Sequence, residues 1–260
     1  MTESSLHARL RALGLIATGD ALDDLVALAT QKRWGATQLL EHVADLEDKE
    51  RSRKSLERRT TRSRLGKFKP VADFDWNWPT KIDRPLVETA IELRFLAAAR
   101  NVVLVAPQGL GKTMFAQNIA HQAILAGHSV LFTTAAQMLL DLGAQESSRA
   151  LERRLHYYAK ISLLAIDEVG YLAFDNRNAD LLFQVVSRRY ERKSLVLTTN
   201  LAFKEWPTIF PNATCATALI DRVIHHADVI GIEGKSYRLR EAEDGAAARK
   251  ESGPKPKPNK

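Results

Sequence analysis

The chain has 260 residues, of which 45% are hydrophobic and 27% charged, a composition typical of a globular protein. This length accommodates one full α/β domain and a smaller appendage. The net charge of +7 favours an anionic partner, and the single cysteine, Cys215, excludes an intrachain disulfide framework. Because no apolar stretch is long enough to span a bilayer and the N-terminus does not resemble a signal peptide, we expect a cytoplasmic protein without membrane contact.

Residues 1–66 are predicted to form a small helical domain. Leucines recur at helical spacing near the N-terminus, a second amphipathic helix covers residues 21–28, and a third begins near Thr37. The apolar stripes of these helices are expected to form either the core of this domain or an oligomer contact.

The third helix leads into a basic segment, residues 49–69. Ten residues of this segment are Lys or Arg, and only Glu50 and Glu57 are acidic. A solvated helix usually mixes charges of both signs, so this excess of eight positive charges favours contact with a phosphate backbone over a merely solvated face. No aromatic residue precedes Phe68 in the segment, which argues against stacking on single-stranded bases. The candidate DNA-binding residues are Arg51, Arg53, Lys54, Arg58, Arg59, Arg62, Arg64 and Lys67.

Residues 67–83 are predicted to be a linker, and residues 84–100 a helix that leads into the first strand. Phe74, Trp76 and Trp78 are concentrated in the linker. Such aromatic residues pack either on the adenine of a nucleotide or on the surface of the following domain, and we take the second as the default.

An apolar strand pattern, residues 101–105, is followed by a glycine-rich turn and then by a helix pattern. This order, with Gly109, Gly111, Lys112 and Thr113, is typical of the phosphate-binding loop of an NTPase. The backbone amides of the turn and the helix N-terminus favour phosphates; Lys112 is expected to reach the β- and γ-phosphates of ATP, and the Thr113 hydroxyl to hold Mg²⁺. The candidate nucleotide-binding residues are Pro107, Gln108, Gly109, Leu110, Gly111, Lys112, Thr113 and Met114.

Ala106 occupies the position where this signature usually has its first glycine. The turn is expected to form if the backbone of Ala106 keeps a negative φ. The alternative is a DNA-binding protein whose ATPase activity has been lost.

Residues 161–166 form a short apolar run that ends in Asp167 and Glu168. This pattern is typical of a buried parallel strand, and ligands bind at the carboxyl edge of open α/β sheets. Asp167 is expected to hold Mg²⁺ through water, and Glu168 to orient and deprotonate the attacking water, which is hydrolase chemistry. Another predicted strand, residues 194–200, ends in Asn200, which either contacts the γ-phosphate or the attacking water, or caps the strand.

A helix pattern over residues 218–226 precedes another predicted strand, residues 228–232. Arg222 in this helix is expected to be an arginine finger that reaches the nucleotide of a neighbouring subunit, the alternative being a salt bridge with Asp221 or another acid of the same chain. Further strands are predicted over residues 129–134 and 236–239, and further helices over residues 151–160 and 178–192. Strands alternating with helices predict a parallel sheet covered on both faces. Residues 241–260 are expected to be a disordered basic tail.

The order of these motifs resembles the AAA+ ATPases and, among them, the IstB family of bacterial transposon helper ATPases, which is related to the helicase loader DnaC. The phosphate loop and the Asp-Glu pair mark only the superfamily. The segments more specific to IstB are residues 187–192, residues 219–227 with Asp-Arg-x-x-His-His, and residues 232–238 with Ser-Tyr-Arg. The resemblance covers about residues 5–240 and implies an α/β P-loop AAA+ domain over residues 84–240, without a full lid domain.

The resemblance implies that Asn200 is the sensor residue and Arg222 the finger, and Arg238 is a candidate to replace a lid arginine. It implies an ATP-dependent homo-oligomer that assembles on duplex DNA, selects a target site and activates a partner transposase of the IstA type. The alternative is a DnaC-like replicative helicase loader, which would prefer single-stranded DNA. A metabolic P-loop kinase is disfavoured by Glu168 and Arg222, because a kinase must exclude water.

Overall fold

The computed structural model describes residues 5–171 and 173–240, so the predicted tail and the first four residues lie outside the described part of the chain. The described residues divide into two compact units, one ending at Arg59 and the other beginning at Thr60. The helices are α1 (Ser5–Ala12), α2 (Ile16–Asp20), α3 (Leu22–Lys32), α4 (Ala36–Ser63), α5 (Arg84–Ile91), α6 (Arg94–Ala97), α7 (Lys112–Leu125), α8 (Ala135–Gly143), α9 (Ser148–Lys160), α10 (Asn176–Arg189) and α11 (Ala213–Ile224). The strands are β1 (Lys81–Ile82), β2 (Asn101–Val105), β3 (Val130–Thr134), β4 (Leu163–Val169), β5 (Ser194–Thr199) and β6 (Ala227–Glu233). None of the helices in these ranges is long and apolar enough to cross a membrane.

The first unit is helical, as the sequence predicts, but it encloses few apolar side chains. Leu22 and Leu25 are buried, whereas Leu13 is 75% exposed and Leu40 is 67% exposed. A buried Glu47 carboxylate accepts hydrogen bonds from the backbone N–H and the hydroxyl of Thr18, at 2.8 and 3.0 Å. A closed core therefore accounts for only part of the apolar stripes in this unit.

The second unit is built on a six-stranded sheet in the order β1-β6-β2-β5-β4-β3. Strands β2 to β6 run parallel, which confirms the predicted parallel sheet. The two-residue strand β1 pairs antiparallel with β6, and the sequence does not predict it. Every residue of the central strand β5 is buried, as expected for a strand covered on both faces.

Helices cover both faces of this sheet. Helices α8 to α11 pack on one face, where Ile166 of β4 and Leu197 of β5 lie in the hydrophobic cluster. Helix α7 contacts β2 to β5 on the other face and buries Phe115 and Ile119. Because successive strand residues point to opposite faces, β4 directs Asp167 to the face of α7.

The predicted helix over residues 84–100 is interrupted. Helices α5 and α6 are separated at Leu93, which has a left-handed φ of 65°. This break lets α5 bury Val87 and Ala90 while α6 buries Phe95.

The predicted strand over residues 236–239 is wrong, because the backbone is helical from Tyr237 onwards. Strand β6 ends at Glu233 and already has β1 on one side and β2 on the other, so no edge of β6 is left for another strand. The backbone N–H of Tyr237 instead donates to the carbonyl of Gly109 at 3.0 Å. The last described segment therefore lies on the phosphate loop.

Arg189, at the end of α10, is fully buried and has no carboxylate partner among the described residues. Its guanidinium donates at 2.6–3.3 Å to the backbone oxygens of Tyr158, Ala159, Ile161, Ser162 and Ser194. Burial lowers the pKa of Arg189 to about 9. This side chain ties the end of α9 and the start of β5 to the turn that follows α10.

Replacing Arg189 with Lys keeps the charge but removes the planar fork that reaches several carbonyl groups. Buried acceptors that lose their donor each cost about 1–3 kcal/mol, so we expect Arg189→Lys to lower the free energy of unfolding by about 2–4 kcal/mol. Urea unfolding followed by tryptophan fluorescence, to which the buried Trp206 contributes, measures this change. The matched control is Arg188→Lys, whose side chain makes a surface ion pair with Glu152 and should change stability by less than about 1 kcal/mol. Equal changes in the two variants would contradict a stabilising role for the buried guanidinium.

Candidate functional site

The turn between β2 and α7 has the backbone that a phosphate-binding loop requires. Gly109 and Gly111 have φ values of 77° and 88°, which favour glycine, and a side chain at Gly111 would overlap with Phe74. Ala106 keeps a negative φ, as expected, and its N–H donates to the carbonyl of Thr199 at 3.2 Å. The alanine at the first signature position therefore fits the turn.

Lys112 begins α7 and folds back onto the loop. Its Nζ donates to the carbonyls of Ala106 and Pro107 at 2.6 and 2.8 Å. Burial lowers the pKa of Lys112, and the Arg238 guanidinium lowers it further, whereas Asp167 acts in the opposite direction. An ammonium group held by two neutral carbonyls is well placed to exchange them for phosphate oxygens, which bear charge.

Thr113 and Asp167 meet at the carboxyl end of β4. The Thr113 hydroxyl lies 3.0 and 3.2 Å from the two carboxylate oxygens of Asp167, and the Asp167 side chain is buried. A hydroxyl and a carboxylate side by side are hard oxygen donors of the kind that Mg²⁺ prefers. The donor set therefore fits the predicted magnesium site.

Thr198 on β5, which is not among the predicted site residues, connects the two acidic residues. Its hydroxyl donates to Asp167 and accepts from the backbone N–H of Glu168, at 3.0 Å for the second bond. Thr198 is 1% exposed, so water does not compete for these bonds. In the sequence it is one of several β-branched residues of a buried strand, and no local pattern distinguishes it.

Glu168 leaves the regular geometry of the sheet. The pairing of β4 with β5 shifts its register between Ile166 and Val169, and Glu168 has a left-handed φ of 62°. A non-glycine residue in this region is strained, and such strain is concentrated at functional sites. As a result Glu168 is exposed and faces the same cavity as Asp167.

A cavity of about 620 Å³ joins these residues at the carboxyl edge of the sheet. Such a volume is that of a typical small-molecule site. The predicted site residues that line it are Gln108, Gly109, Leu110, Gly111, Lys112, Thr113, Met114, Asp167, Glu168 and Asn200. Pro107 is not among the lining residues, although its carbonyl holds Lys112.

The opposite wall of the cavity comes from the linker and the last helical turn. Trp78, Tyr237 and Arg238 line it, and the Trp78 indole N–H donates to the carbonyl of Lys235 at 2.8 Å. The rings of Trp78 and Tyr237 meet edge to face, with centroids 5.9 Å apart. Trp78 thus lies at the cavity, whereas Trp76, also in the linker, packs on Phe115 of α7.

Arg222 does not line this cavity. It lies in the last turn of α11, next to the amino end of β6, whereas the phosphate loop follows the carboxyl end of the parallel strand β2. Its guanidinium lies 4.6 Å from the ring centroid of Phe183 and donates to the carbonyl of Ala218 at 3.1 Å. Among the described residues it has no carboxylate partner, so the alternative of a salt bridge with Asp221 is not observed.

The basic segment divides into two parts. Acids of the same helix neutralise its first part: Glu50 binds Arg53 at 2.8 Å and Lys54 at 3.3 Å, and Arg51 lies 4.0 Å from Glu47. The hydrogen bond from Arg53 lowers the pKa of Glu50 to about 2. Arg59 donates to the Ser55 hydroxyl at 2.6 Å. Among the candidate DNA-binding residues, the exposed ones that have no carboxylate partner among the described residues are Arg58, Arg62, Arg64 and Lys67.

The phosphate loop, the acidic pair and the parallel sheet define a P-loop ATPase with an AAA+ fold. The fold is similar to that of the replication initiator DnaA bound to AMPPCP and single-stranded DNA, with a TM-score of 0.52 at 15% identity, over 69% of this chain and 54% of that chain. Over residues 8–245 the sequence matches the family described as IstB-like ATP binding protein, and the chain belongs to this family.

Two insertion-sequence proteins are close relatives by sequence. The IS21 putative ATP-binding protein of Pseudomonas aeruginosa is 34% identical over 220 residues, 85% of this chain and 83% of the relative. The IS232 putative ATP-binding protein of Bacillus thuringiensis subsp. berliner is 39% identical over 181 residues, 68% of this chain and 72% of the relative. The chain is accordingly an ATP-binding protein with ATPase activity.

The geometry predicts that Thr198 positions both acids of the site. Thr198→Val removes a donor to Asp167 and an acceptor for the N–H of Glu168, so we expect the free energy of unfolding to fall by about 1–3 kcal/mol. We also expect ATP hydrolysis to slow by about tenfold or more, while ATP affinity without Mg²⁺ changes little. Steady-state hydrolysis and equilibrium binding of a fluorescent ATP analogue measure the two effects.

The control is Thr133→Val on β3, whose buried hydroxyl donates to the adjacent Thr134 carbonyl at 3.3 Å. It should leave hydrolysis close to the wild-type rate. If Thr198→Val hydrolyses ATP as fast as Thr133→Val, Thr198 has no positioning role.

Proposed function

We propose that this protein is an ATP- and Mg²⁺-dependent ATPase that assembles as a homo-oligomer on duplex DNA and activates a partner transposase for insertion at a selected site. The observation that carries the proposal is the separation of the ATP site from Arg222. The family match and the insertion-sequence names of the relatives support the link to transposition.

Within one subunit, the described residues account for ATP binding and the activation of water. Lys112 would leave the loop carbonyls to neutralise the β- and γ-phosphates, and Thr113 and Asp167 would hold Mg²⁺, which would supply further neutralising charge. Glu168 accepts a proton from the attacking water, and Asn200, at the end of β5, orients it. The aromatic wall formed by Trp78 and Tyr237 provides a surface for the base.

The helix α11 of one subunit places no cation near the nucleotide of that same subunit, where negative charge develops during hydrolysis. Because the sheet is parallel, Arg222 at the amino edge is separated by the length of the strands from the cavity at the carboxyl edge. A finger at this position acts on the nucleotide of a neighbouring copy. Hydrolysis is then coupled to assembly. A protein that has to mark a DNA site before a reaction begins requires such coupling.

The bases that lack acidic partners are the best supported contacts to DNA. Arg51, Arg53 and Lys54 already meet carboxylates of their own helix, and such pairs reduce what they contribute to a phosphate. Arg58, Arg62, Arg64 and Lys67 keep their full charge for a phosphate backbone.

The arginine finger can be tested by mixing two inactive variants. Arg222→Ala should bind ATP but hydrolyse it at least about 10³-fold more slowly, because a finger acts on the transition state. Lys112→Ala should fail to bind ATP yet still present Arg222 to a neighbour. A mixture of the two should recover part of the hydrolysis, measured as phosphate release.

Recovery requires that the finger acts between subunits, since neither variant alone has a complete site. The control is Arg188→Ala, a helix-end arginine paired with Glu152, which should hydrolyse ATP normally. Normal hydrolysis by Arg222→Ala alone would show that Arg222 is not the finger. No recovery in a mixture whose particle size establishes mixed assemblies would show that Arg222 does not act between subunits.

The proposed DNA partner is tested by competition between duplex and single-stranded DNA, with an ATP analogue, ADP or no nucleotide, and with particle size recorded. We expect tight duplex binding and large assemblies only with the ATP analogue. Alanine at Arg58, Arg62, Arg64 and Lys67 together should weaken duplex binding and reduce the salt slope of log K by roughly 0.9 for each phosphate that is no longer neutralised.

The matched control replaces Arg51, Arg53 and Lys54 with Ala, which should change the salt slope less because these side chains are paired. An equal or larger loss of affinity in this control would shift the DNA contact to the first part of the basic segment. A preference for single-stranded DNA, with pull-down of a replicative helicase, would favour a helicase loader instead.

A further inference from the structure

Four side chains that the proposed function does not use form one cluster at the amino edge of the sheet. Tyr190 and Glu191 come from the turn between α10 and β5, and His225 and His226 come from the end of α11. The two segments are far apart in the sequence, so the cluster exists only in the fold.

The cluster brings three possible metal ligands together. One nitrogen of His225, one nitrogen of His226 and one carboxylate oxygen of Glu191 lie within 4.8 Å of one another. The Nε2 of His226 and the Oε1 of Glu191 are 3.2 Å apart. Bond lengths of about 2.0–2.2 Å place neighbouring ligands of a tetrahedral zinc ion roughly 3.3–3.5 Å apart, and the pair of His226 and Glu191 already has nearly this separation.

We propose that Glu191, His225 and His226 bind a zinc ion. Two imidazoles and a carboxylate are a ligand set that Zn²⁺ uses when its fourth position is open to water or another group. Imidazole nitrogens favour zinc and similar transition metals over Mg²⁺, which prefers oxygen ligands alone. The site is therefore chemically distinct from the magnesium site at Thr113 and Asp167.

Tyr190 supplies the supporting contact that a zinc-bound histidine usually has. Its hydroxyl oxygen lies 2.6 Å from the Nδ1 of His225, which fixes the orientation of that ring. The Tyr190 ring also stacks near both imidazoles, with centroids 6.0 Å from His225 and 6.4 Å from His226. Both histidine rings are thus restrained before a metal binds.

The backbone around Glu191 is also held in place. Glu191 has a left-handed φ of 55°, a strained backbone conformation for a residue other than glycine. Arg189, two residues earlier, anchors this turn through its buried hydrogen bonds, and its carbonyl accepts from the N–H groups of Arg192 and Lys193. A rigid turn that presents a carboxylate to two oriented imidazoles favours metal binding because little ordering is required.

A bound zinc ion links the turn after α10 to the end of α11. Arg222 lies three residues before His225, so the metal restrains the segment that carries the proposed finger. Zinc binding itself does not depend on whether Arg222 acts as a finger, and the test below reads metal binding alone.

The test is a titration of the full chain, without a histidine tag, with Co²⁺ as a visible probe for the zinc site. Excess Mg²⁺ is present to occupy oxygen-only sites. We expect the wild type to bind one equivalent of Co²⁺ with the strong visible absorption of a tetrahedral site, and to release it when Zn²⁺ is added.

Glu191→Gln and His226→Gln should each weaken Co²⁺ binding by about tenfold or more, and Tyr190→Phe by roughly 10–100-fold through loss of its support to His225. The matched control is His156→Gln, an exposed histidine on α9 outside the cluster, which should bind Co²⁺ like the wild type. Circular dichroism of each variant establishes that the fold is retained. Absence of the tetrahedral absorption in the wild type, or an unchanged signal in Glu191→Gln and His226→Gln, would overturn the proposal.

Discussion

The pairing of β4 with β5 is the constraint on which the catalytic geometry depends. In a regular strand, two consecutive acids point to opposite faces of the sheet, and only one of them can serve a given cavity. The register shift after Ile166 and the left-handed backbone at Glu168 release the second acid from this rule. Thr198 then holds the Asp167 carboxylate and the Glu168 backbone in place, because its hydroxyl donates to Asp167 and accepts from the Glu168 N–H. The strained turn persists because a fully buried neighbouring strand supplies its hydrogen-bond partner.

The parallel topology also separates the functions of the two edges of the sheet. Each helix returns the chain from the carboxyl edge to the amino edge, so residues at helix ends, such as Arg222, lie far from residues at strand ends, such as Asp167. This separation is a property of the fold and not of any one side chain. The proposed finger therefore requires a second copy, and the cluster of Glu191, His225 and His226 lies at the same edge as Arg222.

The parts of the site that the sequence predicts are those that local chain order determines. The strand, turn and helix around Lys112 follow one another directly, and Asp167 ends a recognisable apolar run, so both could be found without coordinates. Thr198 could not, because its importance comes from the pairing of two strands 30 residues apart. The pairing in the basic segment is different, because Glu50 lies three residues before Arg53 and four before Lys54, a helical spacing that favours ion pairs and is visible in the sequence. A count of net charge alone does not show it.

The cavity wall is built by long-range contacts. Trp78 precedes the first parallel strand and Lys235 follows the last, yet a hydrogen bond of 2.8 Å joins them across 157 residues. The same terminal segment presses on the phosphate loop so closely that a side chain at Gly109 would overlap with Ser236. A base that enters between the loop and this wall meets a surface that is already assembled, so little ordering opposes binding.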